Sequence, residues 1–202
     1  LAPLLAADPN NADALALTGL AHAQRGDNAR ADAFMAQALA INPHHAATQF
    51  NHANVLRNLG RTEDAADAYL RVLDLKPDHA GARRAASETL MLRAKQRFDA
   101  GRAGDAIADY DRVVALDPAQ WEAFNNRGIA LDRLERYDEA LASYDRALAL
   151  KPGDDNVLHN RGAVLLALQR YDEALPLFDR LIAADPDRAD NWSCRGAALS
   201  SL

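Results

Sequence analysis

The stretch NRGIALDRLERYDEALASYDRALALKP, residues 126–152, returns 34 residues later as NRGAVLLALQRYDEALPLFDRLIAADP, residues 160–186. A fixed period of this length is typical of stacked supersecondary units, because one such unit cannot bury its apolar face alone. Prolines at one place in the repeat carry the period along the chain: Pro9, Pro43, Pro77, Pro118, Pro152 and Pro186. Neighbours in this series are 34 residues apart, except that Pro77 and Pro118 are 41 apart. The whole chain is therefore one repeat array with a single insertion of seven residues.

Each repeat contains two helical segments. In the last full repeat, Leu158 and Leu165 belong to a first apolar series of helical period, and Ala174 and Leu181 belong to a second one. A short polar turn separates the two series, and its place is taken in successive repeats by Gly26, Gly60, Gly101, Glu135 and Gln169. Glycine accepts the positive φ of a helix C-terminus, so the pattern predicts a helix, a turn and a helix.

The period predicts five full repeats between two partial ones. Residues 1–11 are the tail of a second helix, the full repeats are 12–45, 46–79, 80–120, 121–154 and 155–188, and 189–202 is a lone first helix. The insertion lies at 80–86, and seven residues make about two helical turns. We expect one lengthened first helix over about 80–99; a bulged linker that divides the array is the alternative. Pro176, near the start of its helix, should cause a slight kink.

Composition limits the classes of function. The chain has 202 residues, 49% hydrophobic and 26% charged, and a net charge of −6. This acidic balance argues against a nucleic-acid partner, and no apolar run approaches the roughly 20 residues of a transmembrane helix. The single cysteine, Cys194, excludes an internal disulfide framework and fits a reducing compartment. With no secretory signal at the start, we expect a cytoplasmic protein without membrane insertion.

Residues that could perform chemistry are scattered. The stretch GRAGDA, residues 101–106, follows no strand and has no Lys-Ser/Thr pair, so it is a turn and not a phosphate cradle. His44 and His45 are adjacent in a loop and have no cluster of further ligands around them. The many carboxylates recur with the repeat, as surface charge does and a unique active site does not. We expect no enzyme, no metal site and no cofactor.

The pattern resembles the tetratricopeptide repeat (TPR), whose signature is a bulky residue, a leucine–glycine pair, an aromatic residue, alanine, phenylalanine or tyrosine, alanine and proline. The fourth full repeat has Phe124, Gly128, Leu131, Ala140, Tyr144, Ala147 and Pro152 at these places, and the fifth has Leu158, Gly162, Leu165, Ala174, Phe178, Leu181 and Pro186. The resemblance implies an all-α fold, a right-handed α-solenoid of stacked helix-turn-helix repeats. It also implies that first helices line a concave groove that binds a protein or peptide.

By this resemblance, the partner-binding residues of the groove are Phe50, Asn51, Asn54, Met91, Lys95, Phe98, Asn125, Asn126, Ile129, His159 and Asn160. Their large apolar members are expected to form a floor for the partner. The alternative is that the lengthened first helix of the third full repeat covers this floor.

Asparagines occupy one place in three repeats. A row made by Asn51, Asn126 and Asn160 can pair with the backbone of an extended peptide, as in the TPR arrays attached to O-linked N-acetylglucosamine transferases, which this row resembles. Leu17, Leu92 and Cys194 interrupt the row, and the alternative is that the amides only bridge neighbouring helices. We expect a protein-interaction module, or else a substrate-presenting or scaffolding arm of a larger bacterial glycosyltransferase or assembly protein. Apolar faces at the ends of the array also allow end-to-end self-association.

Arginines stand where the family has an apolar residue before the glycine. They are Arg93, Arg127 and Arg161, and an aspartate follows each of them by 18 residues: Asp111, Asp145 and Asp179. A guanidinium taken out of water needs a carboxylate. We therefore predict structural ion pairs between helices, in the same repeat or between adjacent repeats.

Overall fold

The computed structural model describes residues 2–201, and within them all regular structure is helical. The twelve helices are α1 (Ala2–Ala7), α2 (Ala12–Gln24), α3 (Asn28–Ile41), α4 (Ala46–Asn58), α5 (Thr62–Leu75), α6 (Ala80–Asp99), α7 (Ala103–Leu116), α8 (Trp121–Asp132), α9 (Tyr137–Leu150), α10 (Asp155–Ala167), α11 (Tyr171–Ala184) and α12 (Ala189–Ser200). The predicted all-α fold class is confirmed.

Two helices occupy each repeat interval of the sequence. The pairs are α2 with α3, α4 with α5, α6 with α7, α8 with α9, and α10 with α11, with α1 before them and α12 after them. The first helix of one repeat also packs against the second helix of the repeat before it, as α4 does with α3 and α10 does with α9. Each helix therefore buries one face within its repeat and another against a neighbour.

The turn inside each repeat uses a left-handed residue. Gly26, Gly60 and Gly101 have φ of 80°, 74° and 78°. Glu135 and Gln169 take the same conformation in the later repeats, with φ of 58° and 59°. Glycine adopts this conformation without steric cost, whereas a residue with a Cβ adopts it at a steric cost.

The insertion lengthens a helix. Residues 80–86 are the first two turns of α6, which continues without a break to Asp99. The chain nevertheless forms two compact units, residues 1–93 and 94–202, whose boundary falls inside α6. Pro176 lies inside α11, which is also continuous, from Tyr171 to Ala184.

Small residues on first helices face large residues on second helices. A Cβ added to Gly128 would lie 2.5 Å from the ring of Tyr144, and one added to Gly162 would lie 2.7 Å from the ring of Phe178. Both rings are fully buried. Glycine at this place therefore lets the two helices of a repeat approach closely, and each buried ring contributes roughly 2 kcal/mol through the hydrophobic effect.

Candidate partner-binding faces of the first helices

A cleft of about 400 Å³ lies between α2 and α4, the first helices of the first two repeats. Its lining residues are Asp13, Ala16, Leu17, Leu20, His45, Ala47, Thr48 and Asn51. Leu17 is 53% exposed. Asn51 is half-buried, and no residue in the described part of the chain forms a hydrogen bond with its amide. The cleft thus combines an exposed apolar side chain with an unpaired amide.

Phe50 and Asn54 on α4 interact with their own surroundings. The half-buried ring of Phe50 has its centroid 6.0 Å from that of Tyr69 and 4.7 Å from that of His79. A Cβ on Gly81, in the first turn of α6, would lie 3.4 Å from the Phe50 ring, so the lengthened helix passes beside it. Asn54 Oδ1 accepts a hydrogen bond of 2.7 Å from the Tyr69 hydroxyl.

Methionine and leucine are neighbours on α6 and differ in exposure. Met91 is half-buried, whereas Leu92 is 49% exposed. Leu92 stands at the repeat place of Leu17, so both interruptions of the asparagine row in residues 1–93 are exposed apolar side chains. These leucines, more than Phe50, have the exposure that an apolar anchor for a partner requires.

In residues 94–202, the predicted groove residues at the end of α6 and on α8 have different surroundings. Lys95 is exposed, and its Nζ lies 2.7 Å from a carboxylate oxygen of Asp99. Phe98 and Ile129 are half-buried. Neither apolar side chain is exposed enough to need a partner.

Side-chain amides connect α8 with α10. Asn160 donates to Asn125 Oδ1 over 3.2 Å, and Asn125 donates in turn to Asn126 Oδ1 over 3.4 Å. Within the described residues these two hydrogen bonds leave one donor group, Asn126 Nδ2, and one acceptor, Asn160 Oδ1, without a partner. His159 makes a similar bond of 2.8 Å to Asn191 on α12. The amides bridge first helices and still present one donor and one acceptor.

Each arginine for which an ion pair was predicted lies against an aspartate or glutamate of the preceding repeat. Arg127 Nε is 2.5 Å from Asp111 Oδ1, and Arg161 Nε is 2.7 Å from Asp145 Oδ1. Asp179 pairs in the same way with Arg195, which the sequence argument did not name. Of the two alternatives, the geometry is that of adjacent repeats.

Arg93 has a different acidic partner. Its side chain is 1% exposed, and Nη1 lies 2.7 Å from Asp67 Oδ1 on α5 and 3.5 Å from Glu63. Asp67 stands about one helical turn before the repeat place of Asp111, where the second repeat has Leu70. The buried guanidinium thus obtains a carboxylate from a neighbouring turn.

Sequence reasoning missed the contacts of two further carboxylates, Asp32 and Asp109. His52 occupies the arginine place of the second repeat, and its Nε2 lies 2.6 Å from Asp32, which also pairs with Arg61 at 2.8 Å. Arg97 lies 2.9 Å from Asp109, a fully buried carboxylate on α7. Asp32 does not lie at the repeat place of Asp111, so comparison of aligned places could not find it.

The histidines and the cysteine have structural surroundings. His45 Nδ1 lies 2.6 Å from the Thr48 hydroxyl, and His79 Nδ1 accepts from the backbone N–H of Ala82, so both occupy helix starts. Burial raises the pKa of the Cys194 thiol. Residues 2–201 contain no group of three potential metal ligands and no helix suited to span a membrane.

The structure has paired helices, small residues packed against large ones, and a left-handed turn in each repeat. The sequence matches family profiles that are described as tetratricopeptide repeat. One profile matches residues 1–46 and 91–155, more than half of the chain; others match 46–79 and 133–195. The chain belongs to the tetratricopeptide repeat family. The TPR fold supports a role as a protein–protein interaction module.

Similar proteins are known from sequence and from structure. DnaJ homolog subfamily C member 7 homolog of Schizosaccharomyces pombe is 28% identical over an alignment of 148 residues, and the match covers 67% of this chain and 30% of that protein. MamA AMB-1 is 21% identical, with 89% of this chain and 94% of that chain covered and a TM-score of 0.58. YrrB, described as a TPR protein with an unusual peptide-binding site, is 18% identical over 99% and 96%, with a TM-score of 0.57. At these identities the solved structures show the fold alone: an α-solenoid of TPR units.

Proposed function

We propose that this chain is a protein-binding module that holds an extended segment of a partner against its first helices. The observation that carries the proposal is the cleft between α2 and α4, where exposed Leu17 lies beside the unpaired amide of Asn51. A side-chain amide both donates and accepts, so it can pair with the backbone of a peptide of any sequence. Leu17 and Leu20 supply the apolar contact area.

The amides of residues 94–202 support the same mode of binding. Asn126 Nδ2 and Asn160 Oδ1 offer a donor and an acceptor on neighbouring first helices, and Asn125 fixes their orientation through its two hydrogen bonds. A peptide backbone presents the complementary acceptor and donor at each residue. The asparagine row is thus proposed both to bridge neighbouring first helices and to bind the backbone of the partner peptide.

Phe50 and Met91 are proposed to have a smaller part in binding than the exposed leucines. Phe50 is held between the rings of Tyr69 and His79, and a charge introduced there would disrupt this packing. An aspartate at Leu17 or Leu92 tests the apolar contact without opening the core, since about half of each side chain is already exposed.

The test is selection of displayed random peptides on the immobilised protein, followed by affinity measurement on variants. Asn51→Leu, which introduces the residue of Leu17 and Leu92, is expected to weaken the selected peptides about tenfold through lost backbone hydrogen bonds. Asn58→Leu, at an exposed asparagine on the same helix, is the matched control and should change nothing. Equal binding to wild type and Asn51→Leu would contradict the proposal.

An arm that presents substrate to a larger glycosyltransferase would use the same first-helix face. The asparagine row at Asn51, Asn126 and Asn160 is the feature that favours it. The peptide selection applies to both forms of the function, and the sequence of a complete gene around this chain separates them.

A further inference from the structure

A second cleft lies on the other side of the first two repeats, between the second helices α3 and α5. It has a volume of about 610 Å³. Ala36, Leu39 and Ala40 line it from α3, Gln49 from α4, and Arg71 and Leu75 from α5. The cleft shares no lining residue with the first-helix cleft, so a ligand here would be independent of the proposed peptide site.

Gln49 is a polar residue at a place that is otherwise apolar. The equivalent residues of the other repeats are Leu15, Leu90, Phe124, Leu158 and Trp192. Gln49 is 6% exposed, and its Nε2 donates to the carbonyl of Pro43 over 3.1 Å. Its Oε1 is buried and has no hydrogen-bond partner in the described part of the chain. A buried acceptor without a donor is costly, so the cleft wall has an unmet need for an N–H or O–H group.

Another repeat of this chain shows what an aromatic ring does at this place. The ring of Phe124 lies beneath the guanidinium of Arg146, 5.7 Å from its Cζ. Arg71 is the equivalent of Arg146, as Gln49 is of Phe124. The cleft therefore retains the cation of this cation–π pair, and Gln49 stands in place of the ring.

Trp192 shows that an indole also suits the place. Its Nε1 donates to the carbonyl of Pro186 over 2.9 Å, as Gln49 Nε2 does to the carbonyl of Pro43. The glutamine amide thus takes over the hydrogen bond of an indole without filling the volume of its ring. Ala36 contributes to the same vacancy, because later repeats have the larger aspartate at its place.

We propose that this cleft binds an aromatic ring that carries one N–H donor, of which indole is the simplest. The ring lies under the Arg71 guanidinium and against Leu39 and Leu75. Its N–H donates to Gln49 Oε1, which is closed to solvent in the empty cleft and becomes accessible when the Gln49 side chain turns toward the ring. The ring can belong to a free small molecule or to a tryptophan side chain of a partner polypeptide. Both have the same chemistry, and this site goes beyond the proposed peptide function because it uses second helices.

The test compares indole with 1-methylindole, which has the same ring and lacks the donor, by amide chemical shifts of the isotopically labelled protein. We expect indole to shift the amides around Ala36, Gln49 and Leu75, and 1-methylindole to bind about tenfold more weakly. The peptide Gly-Trp-Gly is the second arm: binding at least as tight as that of indole indicates a partner side chain, and weaker binding indicates a small molecule.

Two substitutions complete the test. Gln49→Leu removes the acceptor at similar volume, so it should weaken indole to the affinity of 1-methylindole; Gln49→Trp fills the cleft and should abolish binding of both. Asn51→Leu, on the first-helix face, should leave indole binding unchanged, which separates this site from the peptide site. Circular dichroism checks each fold, and Gln49→Leu suffices if Gln49→Trp misfolds. Absence of indole binding, equal binding of the two probes to wild type, or shifts confined to the α2–α4 cleft would overturn the proposal.

Discussion

Glu135 and Gln169 are non-glycine residues in a left-handed conformation. This conformation costs such a residue about 1–2 kcal/mol. Glycine avoids the cost but loses about 0.5–1 kcal/mol of chain entropy on folding. We therefore expect Glu135→Gly and Gln169→Gly each to raise the free energy of unfolding by roughly 0.5–1 kcal/mol, measured by urea titration. Gly60→Ala is the opposite control and should lower it; a lower stability of both glycine variants would contradict the explanation.

Tyr69 and Tyr144 occupy the same place in two repeats and differ in their hydroxyl partners. The Tyr69 hydroxyl donates to Asn54, whereas the buried hydroxyl of Tyr144 has no partner in the described part of the chain, because Ile129 stands at the place of Asn54. Tyr69→Phe should cost about 1 kcal/mol of stability. Tyr144→Phe should cost nothing or stabilise, since it removes an unsatisfied buried group. Thermal unfolding of both variants checks this, and an equal loss in the two would show that the Asn54 bond makes no difference.

The sequence shows which ionic and amide residues recur at the same place of the repeat. It predicts only some of the residues that they contact. The period indicated that Arg127 and Arg161 need carboxylates, but the choice between the same repeat and the adjacent one depends on how helices stack. His52 and Asp32 were missed because their places have no counterparts in the later ion pairs. The bond between Asn160 and Asn125 depends on side-chain rotamers 35 residues apart in sequence.

The start of α10 depends on one carboxylate. Asp154 accepts hydrogen bonds from the backbone N–H groups of Asn156 and Val157, and it lies 2.9 Å from Lys151 Nζ. Burial opposes the charged form, but the hydrogen bonds from Lys151 and the backbone outweigh it and lower the pKa of Asp154 below its ordinary value of 3.8. This carboxylate therefore stabilises the fold above its ordinary pKa, and the contribution is lost as the pH falls through the lowered value.

Asp154→Asn keeps an oxygen acceptor at the helix start but cannot titrate. We expect its stability to fall less than that of wild type between neutral and acidic pH. Asp154→Ala removes the acceptor and should cost about 1 kcal/mol at neutral pH. Urea unfolding at both pH values measures these changes. If Asp154→Asn and wild type lost equal stability on acidification, Asp154 would not be the titrating group.

Helix α6 shows how an insertion can leave the helical pattern of a repeat intact. An insertion of seven residues is nearly a whole number of turns, so it extends the helix without rotating its buried face. What the period could not supply is the boundary of the compact units within this helix. That boundary depends on packing between helices and not on the pattern along one of them.

At the scale of the whole array, adjacent repeats of residues 94–202 are joined by the same ion pair. Deletion of residues 121–154 removes one full repeat, and with it Arg127 and Asp145. Asp111 and Arg161, which lose these partners, would then lie opposite each other and could form the same kind of pair. We expect the shortened chain to fold, with helical content by circular dichroism reduced in proportion to its length. Deletion of 121–136, which removes α8 and the turn after it and leaves α9 without its partner helix, is the control and should not fold cooperatively. Failure of the in-phase deletion alone would show that the pairs are not interchangeable.

The direction of these pairs has a genetic consequence. Each of these repeats offers an acid to the repeat that follows and a base to the one before, as Asp145 and Arg161 do. Recombination between two of these repeats in register adds or removes a whole repeat, and the new junction keeps an acid facing a base. A lineage that carries this array can therefore change the length of its binding surface in single steps, without an intermediate that buries an unpaired charge.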